Sequence, residues 1–317
     1  MNKNSKIYIA GHNGLAGSAI YRKLKNEGYI NIITRNSHEL DLRNPTIVLD
    51  FFRIEKPEYV FFAAGKVGGI LANKNNPVDF LYDNITMFFN TIKAAYKFNV
   101  EKLLYLGSSC IYPSNSIQPI KENFLLTGSL EETNKAFSLA KISCIELCNS
   151  YNKQFNTNYL TLIPCNLFGI NDNYDLNNSH LIAALIRKIY EAKIKNTNKI
   201  ILWGSGNPKR EIMLSDNLAN SCLEIMNLEK IKDYVINVGS EYDYSIKEIA
   251  LMIAQIADFN GYIIFNPEMP DGVFQKKLDL SKSKEYKINY THNIKDDLSI
   301  AYQDFIYNYK FYTSLKN

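Results

Sequence analysis

The 317 residues are 46% hydrophobic, enough for a buried core arranged as a main domain with a smaller satellite. A formal net charge of +4 is too small at this length to mark a nucleic-acid-binding surface. No apolar run approaches the roughly 18 residues that span a bilayer, and the run at residues 7–10 leads into a glycine turn rather than a signal-peptide cleavage site. Five cysteines (110, 144, 148, 165 and 222) form no paired framework, which points to reduced thiols in the cytoplasm. Cys144 and Cys148 lie one helical turn apart with no His or Cys pair to complete a metal site, so they are expected in the core.

Taken in order, residues 6–10 read as a buried strand, followed by Gly11-His12-Asn13-Gly14-Leu15-Ala16-Gly17 and an amphipathic helix over 18–27. A strand, glycine turn and helix make a dinucleotide-binding opening. Gly11 permits the tight turn, Gly14 the backbone approach to a pyrophosphate, and Gly17 close packing of helix on strand. The next strand, 31–34, runs into Thr34-Arg35-Asn36-Ser37, with no acidic residue to meet a ribose 2′-hydroxyl. That favours the 2′-phosphorylated cofactor NADP, the alternative being Arg35 as a solvated surface charge. Asp41-Leu42 follows at a spacing suited to an adenine contact.

Strands are expected over 59–64, 103–106 and 159–163, with a glycine turn at 65–69 beside the nicotinamide ribose. Long helices are expected over 77–98, with Phe80, Ile85, Phe88 and Phe89 on one apolar face, and over 138–152. These helices either pair with their copies in a homodimer or form the surface of a monomer. Beyond Pro164 come a polar loop to residue 178, a helix at 179–193 and a strand at 199–203 ending in the single tryptophan, Trp203. A turn at 204–208 then presents Lys209-Arg210-Glu211. Strands at 235–238 and 261–265, a helix at 245–257, a turn at 270–272 before Lys276 and Lys277, and a closing helix at 297–310 complete the chain. The expected class is α/β: a doubly wound parallel Rossmann sheet built by residues 1–169, with later strands returning to it, and a smaller, mainly substrate-binding domain over 170–317.

The chemistry-bearing stretch is Leu106-Gly107-Ser108-Ser109-Cys110-Ile111-Tyr112-Pro113, a strand end, read with the helix start Lys135–Lys141, where residues 137 and 141 share a face. A strand-end hydroxyl and a helix lysine can converge there on one carbonyl carbon. With Ile9-Ala10-Gly11-His12, Lys66-Val67-Gly68-Gly69-Ile70, Asn178-Ser179-His180, Trp203-Gly204-Ser205-Gly206 and Pro270-Asp271-Gly272, the chain resembles, nearly end to end, the GDP-L-fucose synthase family. These GDP-4-keto-6-deoxymannose 3,5-epimerase/4-reductases belong to the extended short-chain dehydrogenase/reductases.

The resemblance implies a Ser-Tyr-Lys trio that holds and protonates the substrate ketone as hydride arrives from NADPH, with the lysine charge lowering the tyrosine pKa. Its members here are Ser108, Phe137 and Lys141, phenylalanine standing where the family has tyrosine. Phe137 reads either as a replacement that holds substrate without turnover, which the intact landmarks favour, or as natural divergence in which water or Tyr112 supplies the proton. The family's epimerisation base and acid correspond to Cys110 and His180. A 4,6-dehydratase would carry an Asp-Glu pair where this chain has Ser109 and Cys110, which argues against dehydration.

The resemblance also assigns the cofactor to Gly11, Asn13, Gly14, Leu15 and Gly17 in the first turn, and to Arg35, Ser37, Asp41 and Leu42 in the second. Ala64, Lys141, Pro164, Asn166 and Leu167 complete the cofactor set. Asn13 stands where the family usually has an arginine near the 2′-phosphate. The GDP-sugar falls to Ser109, Lys188, Trp203, Arg210, Asp271 and Lys276, with Lys188 in place of the usual arginine. Three functions follow: a GDP-4-keto-sugar epimerase and C4 reductase; a C4 reductase alone, on a hexose or heptose for a surface polysaccharide; or a catalytically silent NADP-binding module. A GDP-sugar is the expected small-molecule partner, with neither nucleic acid nor membrane involved.

Overall fold

The computed structural model describes residues 1–176, 178–269, 271–288 and 293–314. Pro270, part of the predicted 270–272 turn, lies outside them. The first half alternates strand and helix: β1 (Ile7–Ala10), α1 (Leu15–Asn26), β2 (Ile32–Arg35), α2 (Pro45–Glu55), β3 (Tyr59–Phe62), α3 (Ile70–Asn75), α4 (Pro77–Lys97), β4 (Lys102–Leu106), α5 (Lys135–Phe155) and β5 (Tyr159–Pro164). The chain continues through β6 (Asn166–Phe168), α6 (Leu181–Ile194), β7 (Lys199–Trp203), β8 (Lys209–Leu214), α7 (Ser215–Asn227) and β9 (Val235–Val238). It closes with β10 (Asp243–Ser245), α8 (Ile246–Ala257), β11 (Tyr262–Asn266), β12 (Gln275–Lys276), α9 (Ser281–Glu285), α10 (Ile294–Tyr307) and α11 (Tyr309–Ser314).

Six strands form one parallel sheet in the order β2-β1-β3-β4-β5-β9. The order reverses between β1 and β3, and in open α/β sheets ligands bind in the crevice outside the strand ends at such a reversal. The central strands β1, β3, β4 and β5 are almost fully buried, because helices cover both faces, while the edge strand β2 is half-buried. A second ribbon takes β8 as its hub, pairing antiparallel with β10 and parallel with β12 and β6. A parallel pair, β7–β11, completes the sheets.

Two apolar clusters divide the interior. One gathers the six-stranded sheet with α1, α4, α5 and α7, including Phe88, Cys144, Cys148 and Cys222. The other gathers α6, α8 and α10 through Ile186, Ile253, Leu298 and Phe305. Residues of α7 and β9, although beyond 169, lie with the first cluster, and Arg22 of α1 grips Asp216 of α7 through two hydrogen bonds of 3.2 and 2.7 Å. Among the described residues no helix is long and apolar enough to cross a membrane.

Several expectations change. The first helix starts at Leu15 rather than 18, because Gly14 is its N-cap and Gly17 already lies inside it. Phe89 is 40% exposed while Phe80 and Phe88 are buried, since one residue along a helix turns a side chain about 100° away. Glu211, read as presented by a turn, is fully buried in β8. Its carboxylate accepts the backbone N–H groups of Glu241 (2.9 Å) and Leu278 (2.7 Å), fastening β12 and the end of β9 to the hub strand. Helices α2 and α7 and strand β8 have no counterpart in the sequence reading. The tail helix α10 starts at Ile294, and a short α11 follows it.

Candidate active site

At the reversal point, Gly11 takes φ +82°, and a Cβ there would come within 2.6 Å of the Ala64 nitrogen after β3. A Cβ on Gly17 would stand 2.1 Å from the Gly11 carbonyl oxygen, so the helix packs directly on the turn. Gly14 brings no side chain to the N-terminus of α1, and the first helical turn holds no acidic residue. Unblocked N–H groups and the positive end of the helix dipole therefore face the crevice beside Asn13 and Leu15. His12 leaves its Nδ1 buried without a hydrogen bond, and burial lowers its pKa.

The second turn is tightly knit. The Arg35 guanidinium donates to Glu55 Oε1 and to the Thr34 carbonyl at 2.7 and 2.8 Å. Asn36 Oδ1 accepts the N–H groups of His38 and Glu39, which bends the chain at Ser37. Arg43 clamps both oxygens of Asp41 at 2.9 Å, and Asn90 donates to the Leu42 carbonyl at 2.9 Å. Pro164 ends the buried β5, and Asn166 in β6 spends its amide on the Glu211 carbonyl at 3.1 Å, beside Leu167.

Strand β4 and helix α5 are bonded together at the chemistry-bearing stretch. Lys141 Nζ donates to the Leu106 carbonyl at 2.7 Å, and Ser138 Oγ donates to the Cys110 carbonyl at 2.9 Å. Ser108 opens a short 3-10 turn and accepts the Cys110 N–H at 3.4 Å. Ser108 and Cys110 are part-exposed, whereas Ser109 is buried. Lys141 is 6% exposed, between the rings of Tyr105 (4.8 Å to the centroid) and Phe137 (5.5 Å), and this burial lowers its pKa. Phe137 stands edge-on to Phe80 at 6.2 Å.

Tyr112 lines the pocket beside Cys110, but its hydroxyl is engaged elsewhere. Its hydroxyl donates to Asn237 Oδ1 at 2.6 Å in the core, and burial pushes its pKa far up. Asn237 in turn donates to the carbonyls of Ile120 and Asp279 and gives its N–H to Glu122. The hydroxyl is a structural staple for the loop after Cys110, which removes it as a substitute proton donor.

His180 is the N-cap of α6, and crowding by protein lowers its pKa although the residue remains open to solvent. Gly69 N–H donates to the Asn178 carbonyl at 3.0 Å, and a Cβ on Gly68 would meet the Phe80 ring at 3.3 Å. The His180 segment thus joins Phe137 through the glycine turn and Phe80. No hydrogen bond links His180 to Cys110 among the described residues. Lys188 lies two turns further along α6, where burial lowers its pKa.

On the other side, Trp203 is 58% exposed at the end of β7. Asp271 accepts the Ser205 N–H (2.9 Å) and hydroxyl (2.6 Å), and Arg210 donates to the Val273 carbonyl at 2.7 Å. Lys276 is in register with Arg210 across β12 and β8, so both cations lie on one face of the ribbon. A pocket lined by Cys110, Gln118, Glu131, Gln275 and Lys276 joins this face to the β4 stretch. Sequence reasoning missed Glu131, which lies in a polar, aperiodic loop. Thr133 and Asn134 donate to its carboxylate at 2.6 and 3.4 Å. Among the described residues no cluster of His, Cys, Asp or Glu is placed to hold a metal ion.

A dinucleotide-type glycine turn at a sheet reversal, with a strand-end serine and a helix lysine beside it, is matched by the family model "NAD dependent epimerase/dehydratase family", over residues 7–239. The chain belongs to this family. Among family members, GDP-L-fucose synthase of Escherichia coli K12 is 40% identical over 311 residues, covering 96% of this chain and 97% of the relative. A GDP-6-OMe-4-keto-L-xylo-heptose reductase from C. jejuni superimposes with a TM-score of 0.90 at 35% identity, covering 97% of this chain and 99% of that one. The GDP-mannoheptose C4 reductase of Campylobacter jejuni, solved with NADP bound, gives 0.86 at 35% identity, covering 96% and 99%. The resemblance read from the landmark residues is borne out, and so is the α/β doubly wound class.

Proposed function

We propose that the chain is an NADPH-dependent enzyme of GDP-sugar metabolism that epimerises a GDP-4-keto sugar at C3 and C5 and reduces it at C4. The observation that carries this reading is the pair of bonds from α5 to the β4 stretch, Lys141 to Leu106 and Ser138 to Cys110. They tie the helix that carries Phe137 and Lys141 to the strand end that carries Ser108 and Cys110. The turn fits the cofactor: the Gly11–Gly17 approach leaves no room for side chains, and the bare N-terminus of α1 suits a pyrophosphate. Bound there, NADPH supplies a hydride. Arg35 and Ser37 then hold the 2′-phosphate side, Asp41 and Leu42 the adenosine, and Ala64, Lys141, Pro164, Asn166 and Leu167 the nicotinamide side.

Within the cleft, the Ser108 hydroxyl donates to the C4 ketone oxygen and polarises it. Polarisation acidifies the hydrogens at C3 and C5, so Cys110 as thiolate removes a proton from one face and His180 returns one to the other. Crowding by protein lowers the His180 pKa, which favours the neutral imidazole. Trp203, Arg210, Asp271 and Lys276 surround the GDP-sugar, with Lys188 from α6. Phe137 fills the space of the family tyrosine without its hydroxyl, so the reduction step lacks its side-chain acid while the proton-exchange step keeps both of its groups.

A reductase acting without epimerisation, on a GDP-4-keto-heptose, is the second reading, favoured by the likeness to two heptose reductases. Incubating the protein with GDP-4-keto-6-deoxymannose in deuterium oxide, without NADPH, separates the two. Deuterium at C3 and C5 supports the first reading, and none at either carbon removes the epimerase half. As a homodimer, the chain would use α4 and α5, whose outer faces expose Tyr82, Phe89 and Phe155 beside a Tyr96–Phe155 stack at 4.4 Å. A cytoplasmic location follows from the reduced cysteines and the nucleotide-sugar substrate.

A further inference from the structure

We propose that Tyr312 of α11 is a positioning residue for His180: its hydroxyl and ring fasten the loop between β6 and α6, and that loop sets where the imidazole stands. The inference rests on the epimerase reading only for what His180 does there. His180 caps α6 without a side-chain capping bond, so the backbone that carries it decides its place. The fastening begins near the other end of the chain. The Tyr312 hydroxyl donates to Asp304 Oδ2 on α10 at 2.7 Å and accepts the Asn171 N–H at 3.2 Å, across 141 positions of sequence. The same N–H reaches Asp304 Oδ2 at 3.4 Å. Asn171 stands at φ +64°, a left-handed conformation that a non-glycine residue keeps where its surroundings hold it.

Three residues further on, the buried Tyr174 ring packs on Phe305 at 4.4 Å and on Tyr312 at 4.8 Å between centroids. Its hydroxyl donates to the Ala301 carbonyl at 3.3 Å, and Arg187 of α6 donates to its carbonyl at 2.9 Å. Asp175 passes this anchorage on. Its carbonyl accepts the N–H groups of Asn178 (2.9 Å) and Ser179 (2.6 Å), and the Asn178 carbonyl accepts the Gly69 N–H at 3.0 Å. His180 is the next residue. A continuous set of contacts therefore runs from α11 through Asn171, Tyr174 and Asp175 to the glycine turn, with His180 at its end. Tyr312 touches two members of that set, Asn171 through its hydroxyl and Tyr174 through its ring.

In the proton exchange, the Cys110 thiolate takes a proton from the carbon beside the C4 ketone, and the C–H electron pair moves to the C4 oxygen as an enolate. When the pair returns to carbon, the new proton comes from one of two sides. Delivery by His180 on the opposite face inverts the centre, and return from the Cys110 thiol restores it. In deuterium oxide both groups exchange with solvent, so both products are labelled and differ only in configuration. The inverted share of labelled sugar therefore reads where His180 stands, and a loss of overall stability alone does not move it.

The test uses the full-length protein carrying Tyr312→Phe, which keeps the ring and removes the hydroxyl. With GDP-4-keto-6-deoxymannose in deuterium oxide and no NADPH, the inverted share of labelled sugar is expected to fall about tenfold, while NADPH affinity stays at the parent value. Tyr307→Phe, at a side chain 90% exposed on α10, is expected to keep the parent share. Amide hydrogen exchange read by peptide mass spectrometry needs no sugar: Tyr312→Phe should lose protection over residues 169–180 and keep it over β4. Asp304→Asn, which weakens the hydroxyl's bond from the other side, serves if Tyr312→Phe fails to give the parent circular dichroism spectrum. Parent protection over 169–180 in the folded variant, or a parent inverted share despite lost protection, overturns the inference. Lost protection in the variant of a parent that labels neither C3 nor C5 overturns the epimerase reading instead and leaves the fastening standing.

Discussion

Lys141 and Phe137 lie on successive turns of α5, with the lysine ammonium 5.5 Å from the centre of a ring that has no hydroxyl. In this family's chemistry a tyrosine oxygen would stand between that cation and the ketone. Restoring it with Phe137→Tyr should raise the rate of NADPH oxidation with a GDP-4-keto sugar by about 10²–10⁴-fold, the usual worth of a general acid. Stopped-flow absorbance of the reduced nicotinamide on both proteins checks this. A Phe137→Tyr variant no faster than its parent would place the proton source elsewhere.

The glycine turn admits no side chain where α1 meets it. Gly17→Ala puts a methyl carbon 2.1 Å from the Gly11 carbonyl oxygen, and the atoms it meets are all backbone. The turn must open, at a cost of about 1–3 kcal/mol as for other overpacked sites. Urea unfolding should show that loss, and NADPH titration by fluorescence should show weaker binding than the parent.

Cofactor choice is expected to depend on Arg35, whose guanidinium is preset by Glu55 and the Thr34 carbonyl at the end of β2. Arg35→Ala should lower kcat/KM for NADPH, in the Phe137→Tyr background, about tenfold more than for NADH, about the worth of one charge-assisted hydrogen bond. Parallel steady-state assays with the two cofactors measure it. An unchanged ratio would make Arg35 an ordinary surface charge.

Asp172 supplies a pH dependence. It is 6% exposed, and burial, with Asp304 adding to it, raises its pKa to about 7. A raised carboxyl pKa means that the folded protein binds the proton more tightly than the unfolded chain. Stability from this group is therefore full below about pH 4 and is lost as pH rises toward 7. At about 1.4 kcal/mol per pKa unit the loss amounts to a few kcal/mol. Urea midpoints from about pH 4 to about pH 8 should fall less steeply for Asp172→Asn than for the parent, and equal slopes would refute the assignment.

What was legible in the sequence is what local sterics demand. Gly11, Gly14 and Gly17 are fixed by backbone approach, the strands by short apolar runs, and the Ser108–Lys141 spacing by one strand end and one helix turn. Glu211 was misplaced because a carboxylate after a glycine turn reads as surface. Its partners, the N–H groups of Glu241 and Leu278, lie far along the chain. Tyr112 was misjudged for the same reason: Asn237, which binds its hydroxyl, is 125 residues away. Phe89 shows the limit of periodicity, since a broad apolar stripe on α4 does not tell which edge leaves the core. Glu131 carries no local signal at all, and only folding brings it beside Cys110 and Lys276.

The most direct measurement follows the isotope. The Phe137→Tyr variant is given NADPH carrying deuterium in place of the transferable hydride, together with GDP-4-keto-6-deoxymannose or a GDP-4-keto-heptose, and the product is read by NMR. The account predicts deuterium on C4 of a GDP-linked sugar. A product with no label at C4 from either substrate, in a folded protein that binds NADPH, would contradict it.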